Sequence, residues 1–168
     1  MKPIQPIVTL QENASQFFEK IFLKNESKME CKKGCSQCCM TDISIFQLEA
    51  DRITDYVQSL DKNQQLELKE RFLKPEKTGA CVFLIEDECS IYSARPLICR
   101  TQGLPLFLSS ENSLDFCPLN FKDGNPDKED WLNLERMNTL LAIAAKSVKK
   151  EDRVRLKKLK KEILLHLN

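Results

Sequence analysis

Apolar residues recur at helical spacing in four stretches of the chain. Between Thr9 and Asn25, Phe17, Phe18, Ile21 and Phe22 form a stripe that predicts a helix over 9–25 with Thr9 as its cap. Ser44-Ile45-Phe46-Gln47 has the pattern of a capping box. It opens a second helix with Ile45, Leu48, Ile53, Tyr56, Val57 and Leu60 on one side. A third helix is expected from Asn63 to Lys74, stopped by Pro75. The last forty residues carry two more patterns over 127–167. Asp127 caps a run with Trp131, Leu134, Met137, Leu141, Ala144 and Val148 inward. Val154, Leu156, Leu159, Ile163, Leu164 and Leu167 follow, with a break expected near Lys149–Asp152.

The middle of the chain has no helical period. Residues 26–42 read as a loop. Val82-Phe83-Leu84-Ile85 and Ser90-Ile91-Tyr92, around Glu86-Asp87-Glu88, read as a small hairpin. Pro96 suits the first turn of a short helix through Cys99 and Arg100, and Gly103 to Asn125 reads as loop. Isolated two-stranded hairpins are marginal in water, so this one needs a further constraint. The expected fold class is mainly α: a single domain over 1–168 in which helices flank a cysteine-rich loop and a small β-hairpin metal-binding centre.

Composition agrees with a helical protein, since only 4 of 168 residues are glycine and 7 are proline. Lys plus Arg is 26 against 25 acids, so no whole-molecule field draws the chain to nucleic acid or a membrane surface. Residues 146–161 carry nine Lys or Arg against two acids, and read as a solvated outer helix face. Met1-Lys2-Pro3-Ile4-Gln5-Pro6 lacks an apolar signal-peptide core, and no later run is long enough to span a bilayer. These features place the chain in the cytoplasm, where clustered cysteines read as metal-binding or redox-active rather than disulfide-bonded.

There are 8 cysteines, and half of them fall in Cys31-Lys32-Lys33-Gly34-Cys35-Ser36-Gln37-Cys38-Cys39. The others are Cys81, Cys89, Cys99 and Cys117, and none lies outside 31–117. Packing would scatter cysteines through a core, whereas a shared chemical partner confines them. Thiolates suit Zn²⁺, Cu(I) and iron–sulfur clusters, and eight of them supply two four-ligand sites or one larger assembly. The single histidine, His166, lies near the end of the last helix, so any site is nearly all sulfur. One tight group followed by widely spaced singles fits no simple zinc ribbon. Cys31, Cys35 and Cys38 reproduce the spacing of radical S-adenosylmethionine enzymes, but the alternating strand and helix of that barrel are missing. Lys32, Lys33, Arg95 and Arg100 sit beside cysteines, and Arg95 and Arg100 are the candidates for supporting a thiolate site.

The ordered set of motifs resembles the YkgJ-like cysteine-cluster family, described as a zinc- or iron-chelating domain and as iron–sulfur-cluster containing. It comprises Cys35-x-x-Cys38-Cys39, Cys81-Val82-Phe83-Leu84, Cys89-Ser90-Ile91-Tyr92, Arg95-Pro96, Cys99-Arg100 and Cys117-Pro118, within about 31–118. Three residues separate Cys31 from Cys35, where the family often has two. Related domains occur in flagellin lysine methylases, but this chain has no Gly-rich strand–loop–helix for S-adenosylmethionine. The resemblance and the all-sulfur donor set lead to the expectation of an iron–sulfur protein, 4Fe–4S, with a redox, electron-transfer or cluster-handling role and a protein redox partner. A zinc-binding structural or interaction module is the alternative. No general base, nucleophile pair or substrate motif stands out. All eight cysteines are candidate ligands.

Overall fold

A computed structural model describes residues 5–32 and 34–167. The readings that rest on Met1–Ile4 and on Lys33 lie outside the described residues. In chain order the regular elements are α1 (Gln5–Lys24), β1 (Ser44–Phe46), α2 (Gln47–Ser59), α3 (Lys62–Phe72), β2 (Leu84–Ile85), β3 (Glu88–Cys89) and α4 (Leu97–Thr101). They continue with β4 (Leu106–Leu108), β5 (Ser113–Asp115), β6 (Leu132–Asn133), α5 (Leu134–Ser147), β7 (Arg153–Arg155) and α6 (Leu156–His166). Helices dominate and the strands are short, as the sequence pattern implies. The chain divides into two compact units, Met1–Lys32 with Leu97–Val148 and Lys33–Pro96 with Lys149–Asn168.

In the first unit α1 packs against α4 and α5. It buries Ile7, Gln11, Ala14 and Ile21, a stripe at helical spacing. The helix starts before Thr9 because Pro6, in the first turn, needs no intrahelical partner for its nitrogen. It stops at Asn25, a buried residue whose Nδ2 donates to the Ile21 carbonyl (3.1 Å) and to Asp130 Oδ2 (3.0 Å).

The segment expected to be loop holds a hairpin. In it β4 pairs antiparallel with β5, Phe107 opposite Leu114, and parallel with β6, Leu106 opposite Leu132. Asp127 is not the cap of the following helix. Buried Asp130 ties its segment to the end of α1, so Trp131 precedes the helix, stacks on Phe107 and donates from Nε1 to the Pro126 carbonyl. The helix then begins at Leu134, with Asn133 Oδ1 accepting from the Arg136 amide (2.7 Å). Ile21, Met29, Leu104, Leu106 and Phe121 form a buried cluster, packed round by Phe17, Phe18, Phe22, Phe116, Leu132 and Cys31.

In the second unit α2, α3 and α6 enclose a larger core that includes Ile45, Ile53, Phe72, Phe83, Leu156 and Ile163. The Ser44–Gln47 capping box does not form. Ser44–Phe46 is instead strand β1, paired antiparallel with β7, Ile45 opposite Val154. The first amides of α2 are satisfied from the far end of the chain: Gln47 donates to Asp152 O (2.7 Å) and Leu48 to Lys150 O (3.2 Å). In return Leu156 donates to Ile43 O (3.1 Å) as α6 begins.

A capping box does open α3, between Asp61 and Gln64, and the helix ends before Pro75. The break expected near 149–152 is present, and β7 occupies the chain just beyond it. The hairpin is tighter than the apolar runs suggest. Glu86 and Asp87 form a two-residue turn with φ of 54° and 59°, placing Cys89 opposite Leu84.

Candidate metal centre

All eight cysteines carry free thiols, and none is fully buried: Cys38 is exposed and the rest are partly accessible. Free cysteine is ordinarily among the most buried residue types. Cys31, Cys81 and Cys89 pack against the cores with one side and keep part of their surface accessible for chemistry.

The second unit holds five of them. Cys38 and Cys39 lie on one 3₁₀ turn, Gln37–Cys39, closed by the Cys39 amide donating to Ser36 O (2.9 Å). The Cys39 carbonyl accepts from the Cys81 amide (2.7 Å), and the Cys81 carbonyl accepts from Leu84 at the start of the hairpin (2.9 Å). Ser36 Oγ donates to Asp87 Oδ1 in the hairpin turn (3.0 Å). Two bonds thus dock the Cys35–Cys39 loop onto the hairpin, one at Cys81 before its first strand and one at Asp87 in its turn.

These thiols act on one another. The adjacent Cys39 thiol, with the Arg95 charge, brings Cys38 down to about 6 against burial. Cys39 is driven upward by Cys38 first, then by burial and by Cys89 and Cys81. Burial pushes Cys89 up to about 11 and also raises Cys81. One ionised sulfur opposes the next, and a cation among them removes the opposition. Among the described residues, no three Cys, His, Asp or Glu side chains already stand in the geometry of a metal site. The donor set nevertheless fits a thiophilic metal: four neighbouring thiols on a 3₁₀ turn and at a short hairpin, all sulfur, with a cation at hand.

The first unit holds Cys31, Cys99 and Cys117. Cys31 Sγ lies 3.4 Å from Asn120 Nδ2. Gly103, with φ of +93°, passes so close that a Cβ there would sit 2.5 Å from the same sulfur. Asn120 in turn donates its amide to Cys117 O (2.9 Å). Cys99 is on α4, four residues before Gly103.

Of the two arginines singled out by sequence, Arg95 stacks on the Tyr92 ring (3.8 Å) and donates Nη1 to Tyr92 O (3.0 Å). Its charge favours the ionised forms of Cys38 and Cys89. Arg100 is buried on α4 and donates Nη1 to Ser15 Oγ of α1 (2.9 Å). Lys32 is exposed and pairs with Glu30 (3.6 Å). His166 ends α6, exposed. Sequence reasoning passed over Asn120 and Gly103. A signal existed in the rarity of glycine and in an asparagine three residues after Cys117.

Much of the basic C-terminal run is engaged within its own unit. Lys160 is buried and donates to Glu76 Oε1 (2.9 Å), while Lys150 pairs with Asp51, Lys158 with Glu162 and Arg155 with Asp42. A groove of about 520 Å³ lies between α3 and the β2–β3 hairpin, lined by Glu67, Glu70, Arg71, Lys74, Glu86 and Glu88 and by no thiol. Among the described residues, no helix is long and apolar enough to cross a membrane.

Comparison with known proteins gives one family. Residues 30–118, just over half of the chain, match the CxxCxxCC family model, described as "Putative zinc- or iron-chelating domain". No curated protein and no solved structure matches the chain. The matched span contains every cysteine of the sequence, and with it the chain belongs to the YkgJ-like family of zinc- or iron-chelating cysteine-cluster domains.

Proposed function

We propose that the protein holds iron as an iron–sulfur cluster, 4Fe–4S, on cysteine thiolates, and works in electron transfer or cluster handling with a protein redox partner. The observation that carries this reading is the accessible thiol group of the second unit. Cys38 and Cys39 share a 3₁₀ turn that is bonded to Cys81, Cys89 ends the hairpin that follows, and the neighbouring thiols help to hold Cys39 and Cys89 protonated. Cys35 shares their loop, and Cys31, Cys99 and Cys117 are the sulfur donors of the first unit. Such a cluster supplies one-electron chemistry when bound, and its potential follows net charge, exposure and hydrogen bonds to sulfur. Arg95 offsets thiolate charge at Cys38 and Cys89, joined by Arg71 at Cys89 and Lys160 at Cys81.

The second reading is a structural zinc site. The short hairpin and the one-turn 3₁₀ segment favour it, since both gain most from being stapled. Metal and sulfide analysis of anaerobically purified protein, with its visible spectrum, separates the two. Iron and sulfide near four per chain, with a broad absorbance bleached by reductant, is the expected result. Colourless protein with one or two zinc per chain assigns the cysteines to the scaffold. Protein that takes up neither metal after reconstitution overturns both readings.

A further inference from the structure

Asn120 is 1% exposed, and its side-chain amide makes three contacts that join segments far apart in sequence. Oδ1 accepts from the Glu30 backbone amide (2.8 Å), which fixes which way the amide faces. Nδ2 then donates to Gly103 O (2.8 Å) and points at Cys31 Sγ (3.4 Å), while Oδ1 stands 3.9 Å from that sulfur. The donor is the nearer atom, so the arrangement favours a sulfur that accepts, a role in which a thiolate is stronger than a thiol.

Its surroundings are built to hold this geometry. Next to it Phe121 takes a left-handed φ of 53°, uncommon for an aromatic residue, and donates its amide to Lys28 O (2.7 Å). The missing Cβ of Gly103 leaves the sulfur its space. A merely structural asparagine would need only the two backbone bonds.

We propose that Asn120 is a positioning residue for the Cys31 thiolate: it fixes Sγ as a metal ligand and donates an N–H···S hydrogen bond that offsets the ligand's charge. The inference rests on the thiolate-metal reading above and adds to it a named ligand and its support. Partners of this kind commonly change metal affinity about 10–100-fold when removed.

The test uses the whole protein loaded with Co²⁺ or ¹¹³Cd²⁺. In wild-type protein the Asn120 Hδ2 resonance moves on cadmium loading and shows a scalar coupling to ¹¹³Cd across the sulfur. Asn120→Asp keeps the size and the acceptor for Glu30 but removes the donor. It is expected to bind cobalt about 10–100-fold more weakly in chelator competition, with a shifted sulfur-to-cobalt charge-transfer band. A cadmium-loaded wild type without any Hδ2 shift, or an Asn120→Asp protein with wild-type affinity and spectrum, overturns the proposal.

Cys31→Ser separates the two levels of the argument. If it keeps full metal content and spectrum while Cys38→Ser or Cys81→Ser loses metal, the Asn120 inference falls and the metal reading stands. Wild-type protein that takes up neither ion overturns the Asn120 inference, and failure of iron and sulfide reconstitution as well overturns both.

Discussion

Replacing Gly103 with alanine tests how tightly the first unit is built around Cys31. Two terms oppose the substitution. The φ of +93° is one that side-chain-bearing residues rarely adopt, which costs about 1–2 kcal/mol. The added Cβ would also stand 2.5 Å from Cys31 Sγ and 3.3 Å from Asn120 Nδ2. Comfortable contact is about 3.5–4.0 Å, so sulfur or backbone must move by roughly 1 Å, an overpacking that costs about 1–3 kcal/mol. The stiffer unfolded chain returns about 0.4–1 kcal/mol. The net loss is therefore about 1–4.6 kcal/mol.

Urea denaturation at fixed metal content measures it, with the fluorescence of Trp131, the single tryptophan and a residue of the first unit, as probe. Cys31→Ala provides the control, because it removes the atom in the way. In that background the cost of Gly103→Ala should fall to the backbone part, a coupling of about 1–3 kcal/mol in the double-mutant cycle. A loss below about 1 kcal/mol together with no coupling to Cys31 would refute the reasoning.

Glu135 accepts from the amides and hydroxyls of Ser109 and Ser110, which hold its carboxyl at about 2, below the ordinary 4.5. A depressed carboxyl gives stability that is complete above the unfolded value and lost as pH falls through the folded one. The stability gap between wild type and Glu135→Gln should therefore close between about pH 4.5 and 2, as seen in acid-dependent urea midpoints. Buried Lys160 lies over Phe72 (5.5 Å) and bonds the half-exposed Glu76. Lys160→Met, which keeps the stem, should stay within about 1 kcal/mol of wild type, and Lys160→Ala should lose about 2 kcal/mol by thermal or urea unfolding. Removing the metal should cost the second unit about 2.7 kcal/mol relative to metal at 100 times its Kd. Hydrogen exchange should then rise at 35–39 and 84–89 while the α2 and α6 amides stay protected.

The helices were legible because their signal is local. Ile7, Ala14 and Ile21, or Leu48, Ile53 and Val57, repeat within one element and are buried as their spacing requires. The readings that failed depended on residues far away. Ser44 and Gln47 have the composition of a capping box, but the carbonyls of Lys150 and Asp152 already satisfy the amides it would serve. The loop after Gly103 becomes a sheet because Leu132 and Asn133 come alongside Leu106 and Phe107. The same rule holds at the candidate centre. The cysteines declare themselves by chemistry, whereas the role of Asn120 exists only through contacts with Glu30 and Cys31, some ninety positions earlier.

The placement of the thiols divides labour within the second unit. Its stability resides in the packed faces of α2, α3 and α6, with Cys81 and Cys89 packed only against the rim of that core. Its thiols sit on the 3₁₀ turn, at Cys81 before the hairpin and on a two-residue strand, where backbone bonds are few. A frame of this kind can admit a metal without unfolding, because the helices hold the turns near one another while the turns let sulfurs adjust. It also lets adjacent cysteines share one neighbourhood. Consecutive side chains diverge on extended backbone, but Cys38 and Cys39 lie on a 3₁₀ turn, and each thiol shifts the ionisation of the other. The turn brings together two donors that an extended strand would have sent to opposite faces.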